Sequence, residues 1–181
     1  YSVFDLYSSE VQRHHSEQKA EVKRVKGHDF RNISKRETEV VEVREKLVDL
    51  IREVQQKLRG TYTFQFKIVG SYERNMITYD GNGNAGFDLD VNIWPNDKEE
   101  RFSPKELKLK FKEALDSFGT KYGFSTAEDS TRVLTIKVKD RRHAQILYSV
   151  DFAFVNNYTG RDGREHQQII RYRKNQGSYV W

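Results

Sequence analysis

Asp88 and Asp90 stand two residues apart in Phe87-Asp88-Leu89-Asp90-Val91-Asn92-Ile93, where apolar and polar residues alternate. A period of two belongs to a strand with one buried face, so both carboxylates project side by side from the other face. Two like charges held this close call for a compensating cation. Hard oxygen donors, in a chain with no cysteine, suit Mg²⁺ or Mn²⁺ rather than Zn²⁺. Upstream, an apolar strand ends in Gly70-Ser71, whose backbone N–H groups and hydroxyl suit a phosphate. Metal-binding carboxylates and a phosphate-holding turn are the parts of two-metal phosphoryl or nucleotidyl transfer. Each has an ordinary explanation when taken singly: a solvated strand face, or a common turn dipeptide. Their order and joint presence favour the chemistry.

A third carboxylate stands where desolvation penalises it. Asp151 lies in Val150-Asp151-Phe152, inside an apolar run from residue 145 to 155. It either pairs with a nearby Arg or Lys, lies on the exposed face, or completes a cluster with Asp88 and Asp90. The charged turn Lys139-Asp140-Arg141-Arg142-His143 joins that run to another at 132–138. The turn predicts an antiparallel pair, compatible with setting the Asp151 strand beside the Asp88 strand.

These residues need elements to hold them. Ser34-Lys35-Arg36-Glu37 reads as a capping box. Val40, Val43, Leu47, Leu50, Ile51, Val54 and Leu58 follow at helical spacing, and Gly60 closes the helix. Residues 61–69 alternate as a strand and run into Gly70-Ser71, with a short helical turn expected at 71–77. Asp80 to Gly86 is a glycine- and asparagine-rich loop. Ser103-Pro104-Lys105-Glu106 is a second capping box with Pro at the first helical position. Leu107, Phe111, Ala114, Leu115, Phe118 and Tyr122 mark its helix. Ile169-Ile170 suggests a short strand or helix end. The apolar terminus Tyr179-Val180-Trp181 is expected to dock on the core or to precede further protein.

The chain has 181 residues and a formal net charge of +5. That length predicts one domain, with or without an appendage. Residues 1–34 are read as an N-terminal helical extension and 35–181 as the main domain. The adjacent His14 and His15 point about 100° apart on a helix and are read as surface residues. The basic excess fits an anionic partner, a nucleotide or a nucleic acid. No apolar run is long enough to span a membrane and no signal peptide is visible, so an intracellular, cytoplasmic protein is expected.

The order helix, strand, Gly70-Ser71, Asp88-Leu89-Asp90 strand, helix, strand, Val150-Asp151-Phe152 strand resembles the DNA polymerase β-like nucleotidyltransferase superfamily. The likeness covers about residues 35–155. Gly70-Ser71-Tyr72-Glu73 and Ser149-Val150-Asp151 are most similar to the branch of oligoadenylate synthases, cyclic GMP-AMP synthase and bacterial cyclic-oligonucleotide synthases. The resemblance implies an α+β palm, a mixed sheet of four to five strands with helices packed on it. It implies that Asp88, Asp90 and Asp151 are catalytic and hold Mg²⁺ (or Mn²⁺). Gly70 and Ser71 would bind the phosphates of a nucleoside triphosphate. Arg74, just past the turn, either faces that triphosphate as a nucleotide-binding residue or is solvated. The implied reaction moves a nucleoside monophosphate to a hydroxyl acceptor, in a cyclic or linear second-messenger synthase of antiviral signalling. A nucleic acid or a protein is a further possible acceptor or activator.

The spacing from Gly70-Ser71 to Asp88 is longer than is usual in that family. The family's helical second domain is expected to be absent or truncated after residue 156. Three other readings stay open. One is a minimal nucleotidyltransferase modifying a protein, a tRNA or a small molecule. Another is a catalytically silent palm acting as a binding module. The last is a basic nucleic-acid-binding domain.

Overall fold

Strands that alternate between apolar and polar side chains need cover on one face only. The structure, a computed structural model, describes residues 30–80, 86–143 and 145–181. In chain order the elements are β1 (Phe30–Ile33), α1 (Thr38–Leu58), β2 (Thr63–Val69), β3 (Ile77–Asp80), β4 (Phe87–Asn96) and α2 (Pro104–Gly119). They continue with β5 (Glu128–Asp129), β6 (Val133–Asp140), β7 (Gln145–Thr159), β8 (Glu165–Ile169), β9 (Arg171–Arg173) and β10 (Ser178–Val180).

The main sheet runs β2-β4-β7-β6-β5, with β8 pairing with β7. β4 and β7 are parallel and the other pairs antiparallel. The expected mixed α+β sheet is present, and the short strands β5 and β8 bring it to six. As the turn at 139–143 predicts, β6 and β7 pair antiparallel, and β7 lies beside β4.

Burial follows the alternation. Phe87, Leu89, Val91 and Ile93 of β4 are buried, as are Val150, Phe152 and Phe154 of β7 and Leu134 and Ile136 of β6. All seven apolar positions expected on α1 are buried in the same core. Phe111 of α2 sits at its centre, with ring centroids 5.4 Å from Phe64, 5.4 Å from Phe152 and 5.1 Å from Phe154. Both helices cover one face of the sheet, and the opposite face carries the polar residues.

The caps divide. At α2, Glu106 N–H donates to Ser103 Oγ (3.3 Å), and Ser103 N–H donates to Glu106 Oε2 (2.8 Å), so the second capping box forms. The first does not. α1 begins at Thr38, with Glu37 at its N-cap and no side-chain cap. Ser34 Oγ instead donates to Asn75 Oδ1 (3.3 Å), across the turn that follows β2.

Residues 1–29, with His14 and His15, and residues 81–85 of the glycine-rich loop lie outside the described residues. Residues 30–33, expected within the helical extension, form β1 and pair antiparallel with β3. The 71–75 segment is a turn, as expected, but it leads into β3 rather than staying helical to 77. At the far end β9 and β10 form a hairpin, and Tyr179 and Trp181 pack on the core as expected of a docked terminus. Among the described residues no helix is long and apolar enough to cross a membrane.

Candidate active site

The polar face gathers the candidate residues through strand register. Asp90 is paired with Val69 on one side and with Asp151 on the other. Asp151 is in turn paired with Thr135 of β6. One step along, Asp88 is paired with Ser149, and Ser149 with Lys137. Three carboxylates therefore share one face of two adjacent parallel strands. Ser71, Thr78, Asp88, Asp90, Thr135, Lys137, Ser149 and Asp151 line a cleft of about 540 Å³.

Two hydroxyls hold two of the carboxylates. Ser149 Oγ donates to Asp88 Oδ1. Thr135 Oγ1 donates to Asp151 Oδ1 at 2.5 Å. Among the described residues Asp151 has no salt-bridge partner. Asp90 lies between the others. Partial desolvation, then the charges of Asp151 and Asp88, hold its carboxyl above the usual Asp range; Arg74 offsets part of this.

Among the described residues no three His, Cys, Asp or Glu side chains are gathered into a preset metal cluster. Asp88 and Asp151 each spend one carboxylate oxygen on a hydroxyl, Ser149 and Thr135 respectively. The donor set is nonetheless all oxygen, carries excess negative charge, and sits on a fixed register. Those features fit a hard divalent cation, which the side chains would meet by rotating off their hydroxyl partners.

Gly70 and Ser71 end β2 beside Asp90. Gly70 has φ +68°, the left-handed region that glycine adopts freely. Its neighbours fix the turn: Arg74 N–H donates to Gly70 O (3.3 Å) and Met76 N–H to Ser71 O (2.9 Å). Ser71 reaches the cleft wall. Arg74 is exposed and does not line the cleft, although its charge is felt at Asp90.

Sequence reading passed over Thr78, Thr135 and Lys137, and quoted Ser149 only for its family likeness. The period of two leading back from Asp151 puts Ser149 on the same face. The hairpin at 139–143 then brings Thr135 and Lys137 opposite them. Thr78 had no such signal, because β3 depends on its pairing with β1.

No protein-family model matches the chain, and no curated protein matches it by sequence. Solved structures do match by shape. The Bradyrhizobium diazoefficiens CD-NTase CdnG, in complex with GTP, is 18% identical with a TM-score of 0.53, covering 77% of this chain and 37% of that one. The Elizabethkingia meningoseptica CdnE cyclic dinucleotide synthase, with GTP and Apcpp, is 16% identical with a TM-score of 0.44, covering 76% of this chain and 46% of that one. The GTP-bound form of Vibrio cholerae DncV is 16% identical with a TM-score of 0.49, covering 77% of this chain and 36% of that one. The chain thus spans less than half the length of each. Its core has the α+β, polymerase β-like nucleotidyltransferase fold of CdnG.

Proposed function

We propose that this chain carries the catalytic face of a nucleotidyltransferase that makes a cyclic or linear oligonucleotide second messenger of the antiviral type. One observation carries the reading: Asp88, Asp90 and Asp151 share one open face on adjacent strands, and Gly70-Ser71 ends the strand beside them. The fold likeness to CdnG, a structure in complex with GTP, supports a nucleoside triphosphate as substrate.

In this reading Gly70 N–H and the Ser71 hydroxyl bind the triphosphate, and Arg74 adds positive charge beside it. An acceptor hydroxyl attacks the α-phosphorus. The bond from that phosphorus to the bridging oxygen breaks, pyrophosphate leaves, and the hydroxyl proton passes to a cleft carboxylate. Asp88, Asp90 and Asp151 would hold Mg²⁺ or Mn²⁺, which supplies charge neutralisation on the triphosphate and a lowered pKa for the attacking hydroxyl. Asp151 serves the acceptor side, because it lies on the side of Asp90 away from Gly70.

The test is incubation with all four α-labelled nucleoside triphosphates and Mg²⁺ or Mn²⁺, with separation of the products. Labelled oligonucleotides with release of pyrophosphate support the reading. Label on added protein or tRNA would favour the minimal nucleotidyltransferase. Nucleotide binding without any product would favour a silent palm. Ser71→Ala is expected to weaken triphosphate binding by about 1.5–3 kcal/mol, the worth of a hydrogen bond to a charged group.

A further inference from the structure

Strand register sets a hydroxyl directly opposite two of the three cleft carboxylates. Ser149 of β7 is paired with Asp88 of β4 and donates to its Oδ1. Thr135 of β6 is paired with Asp151 of β7 and donates to its Oδ1 at 2.5 Å. Asp90 stands between Val69 and Asp151 and has no hydroxyl opposite it. Lys137 also lines the cleft, but its amine pairs with Glu128. The donors turned on the carboxylates are therefore neutral. A neutral donor eases the strain among like charges without cancelling any of them. The negative charge stays available to a cation, whereas a lysine in the same place would oppose one.

The same two bonds compete with that cation. Among the described residues the carboxylates do not form a preset metal cluster, so a cation has to turn them toward itself. The hydroxyls cannot follow far. Both side chains are short, and the β-branched threonine is stiff at χ1. Turning Asp88 or Asp151 thus gives up a hydrogen bond to a charged group, worth about ten- to a hundredfold in an equilibrium constant.

Resting on the reading of this cleft as a divalent-cation site, we propose that Ser149 and Thr135 are positioning residues that stand in for the cation in the metal-free protein and lower the cleft's affinity for it. They hold the like-charged cluster together without metal, and they make the bound cation an exchangeable ion rather than a resident one.

The experiment sets two measurements side by side on chelator-treated protein. One is the melting temperature in metal-free buffer. The other is calorimetric titration with Mn²⁺, alone and with ATP whose α–β bridging oxygen is replaced by methylene. Ser149→Ala and Thr135→Val should each lower the metal-free melting temperature and tighten Mn²⁺ binding about tenfold or more. The double variant should tighten it by about the product of the two. Ser149→Thr and Thr135→Ser, which keep a hydroxyl, should stay close to the parent in both measurements. The opposite signs are the signature, because a purely structural role would lower the melting temperature and weaken binding together.

Unchanged Mn²⁺ affinity in the folded Ser149→Ala and Thr135→Val proteins overturns this inference alone. Weaker Mn²⁺ binding overturns it too, and would make the hydroxyls supports that stay bonded to the loaded cluster. A variant that fails to fold even with saturating Mn²⁺ also contradicts it, since the loaded cluster needs neither hydroxyl. No Mn²⁺ binding to the parent or to any variant, with or without the methylene analogue, would sink the divalent-cation reading, and the inference with it.

Discussion

The Asp90 carboxylate fills the space that a side chain on Gly70 would need. A Cβ on Gly70 would lie 2.5 Å from Asp90 Oδ2, at a backbone φ of +68° that other residues rarely adopt. The turn and the carboxylate are therefore one unit: the glycine lets Asp90 lie against the end of β2. Gly70→Ala should cost about 1 kcal/mol of stability from the backbone alone. It should also push Asp90 out of line with Asp88 and Asp151. Thermal melts with and without Mg²⁺ and nucleotide check this. The ligand-induced rise in melting temperature should largely disappear, and a rise equal to the parent's would contradict the account.

Asp90 also gives a pH signature. Desolvation and the neighbouring charges of Asp151 and Asp88 raise its pKa in the folded protein. The native state then binds more protons than the unfolded state between the usual Asp value, about 3.9, and the raised one. Stability contributed by the protonated form is present at low pH and is lost as pH rises through the folded pKa. In metal-free buffer Asp90→Asn should therefore melt above the parent at pH 7, with the advantage shrinking as pH falls toward about 4. Mg²⁺ should reverse the order at pH 7, since it stabilises only the charged cluster. Parallel pH curves for the two proteins would show that Asp90 is not under like-charge pressure.

Gly86 sets the parallel pairing on which the carboxylates depend. Its φ is +57°, and a Cβ there would lie 1.8 Å from the Leu147 carbonyl oxygen. That obstacle is backbone, which cannot swing aside. Gly86→Ala should separate the start of β4 from β7 and lower stability by about 3 kcal/mol in urea titrations. A loss below 1 kcal/mol would mean that the strands do not meet this closely.

Sequence patterning revealed most of what is local. On α1 every apolar position read from the helical period is in the core, because helix burial follows spacing alone. The carboxylate face was legible for the same reason, the period of two in β4 and β7. Long-range partners were not. Ser34 carries a local capping signal, but Asn75, 41 residues away, takes its hydroxyl. β1 and β3 stabilise each other across a similar span. Lys137 and Thr135 enter the cleft through strand pairing and not through any motif of their own.

Lys108 illustrates the same limit inside the core. Its side chain is 0% exposed and pairs with Asp129 at 2.6 Å, while Tyr179 donates to the other Asp129 oxygen, also at 2.6 Å. Desolvation and that bond push the Tyr179 pKa up to about 12. The network ties the β9–β10 hairpin to α2. Asp129→Ala strands a buried ammonium and should cost about 3–5 kcal/mol, whereas Lys108→Met should be close to neutral. Equal losses in chemical denaturation would contradict this division.

The most direct test of the catalytic reading is Asp151→Asn, followed both by the melting shift with ATP and Mg²⁺ and by pyrophosphate release. Asp151 accepts a hydrogen bond from Thr135 and has no ionic partner among the described residues, so the asparagine should fold normally. It lies on the acceptor side of Asp90, so nucleotide binding should survive. The account predicts a melting shift close to the parent's with no pyrophosphate released, while Asp88→Asn loses most of the shift as well. A folded Asp151→Asn protein that releases pyrophosphate at the parent's rate would contradict it.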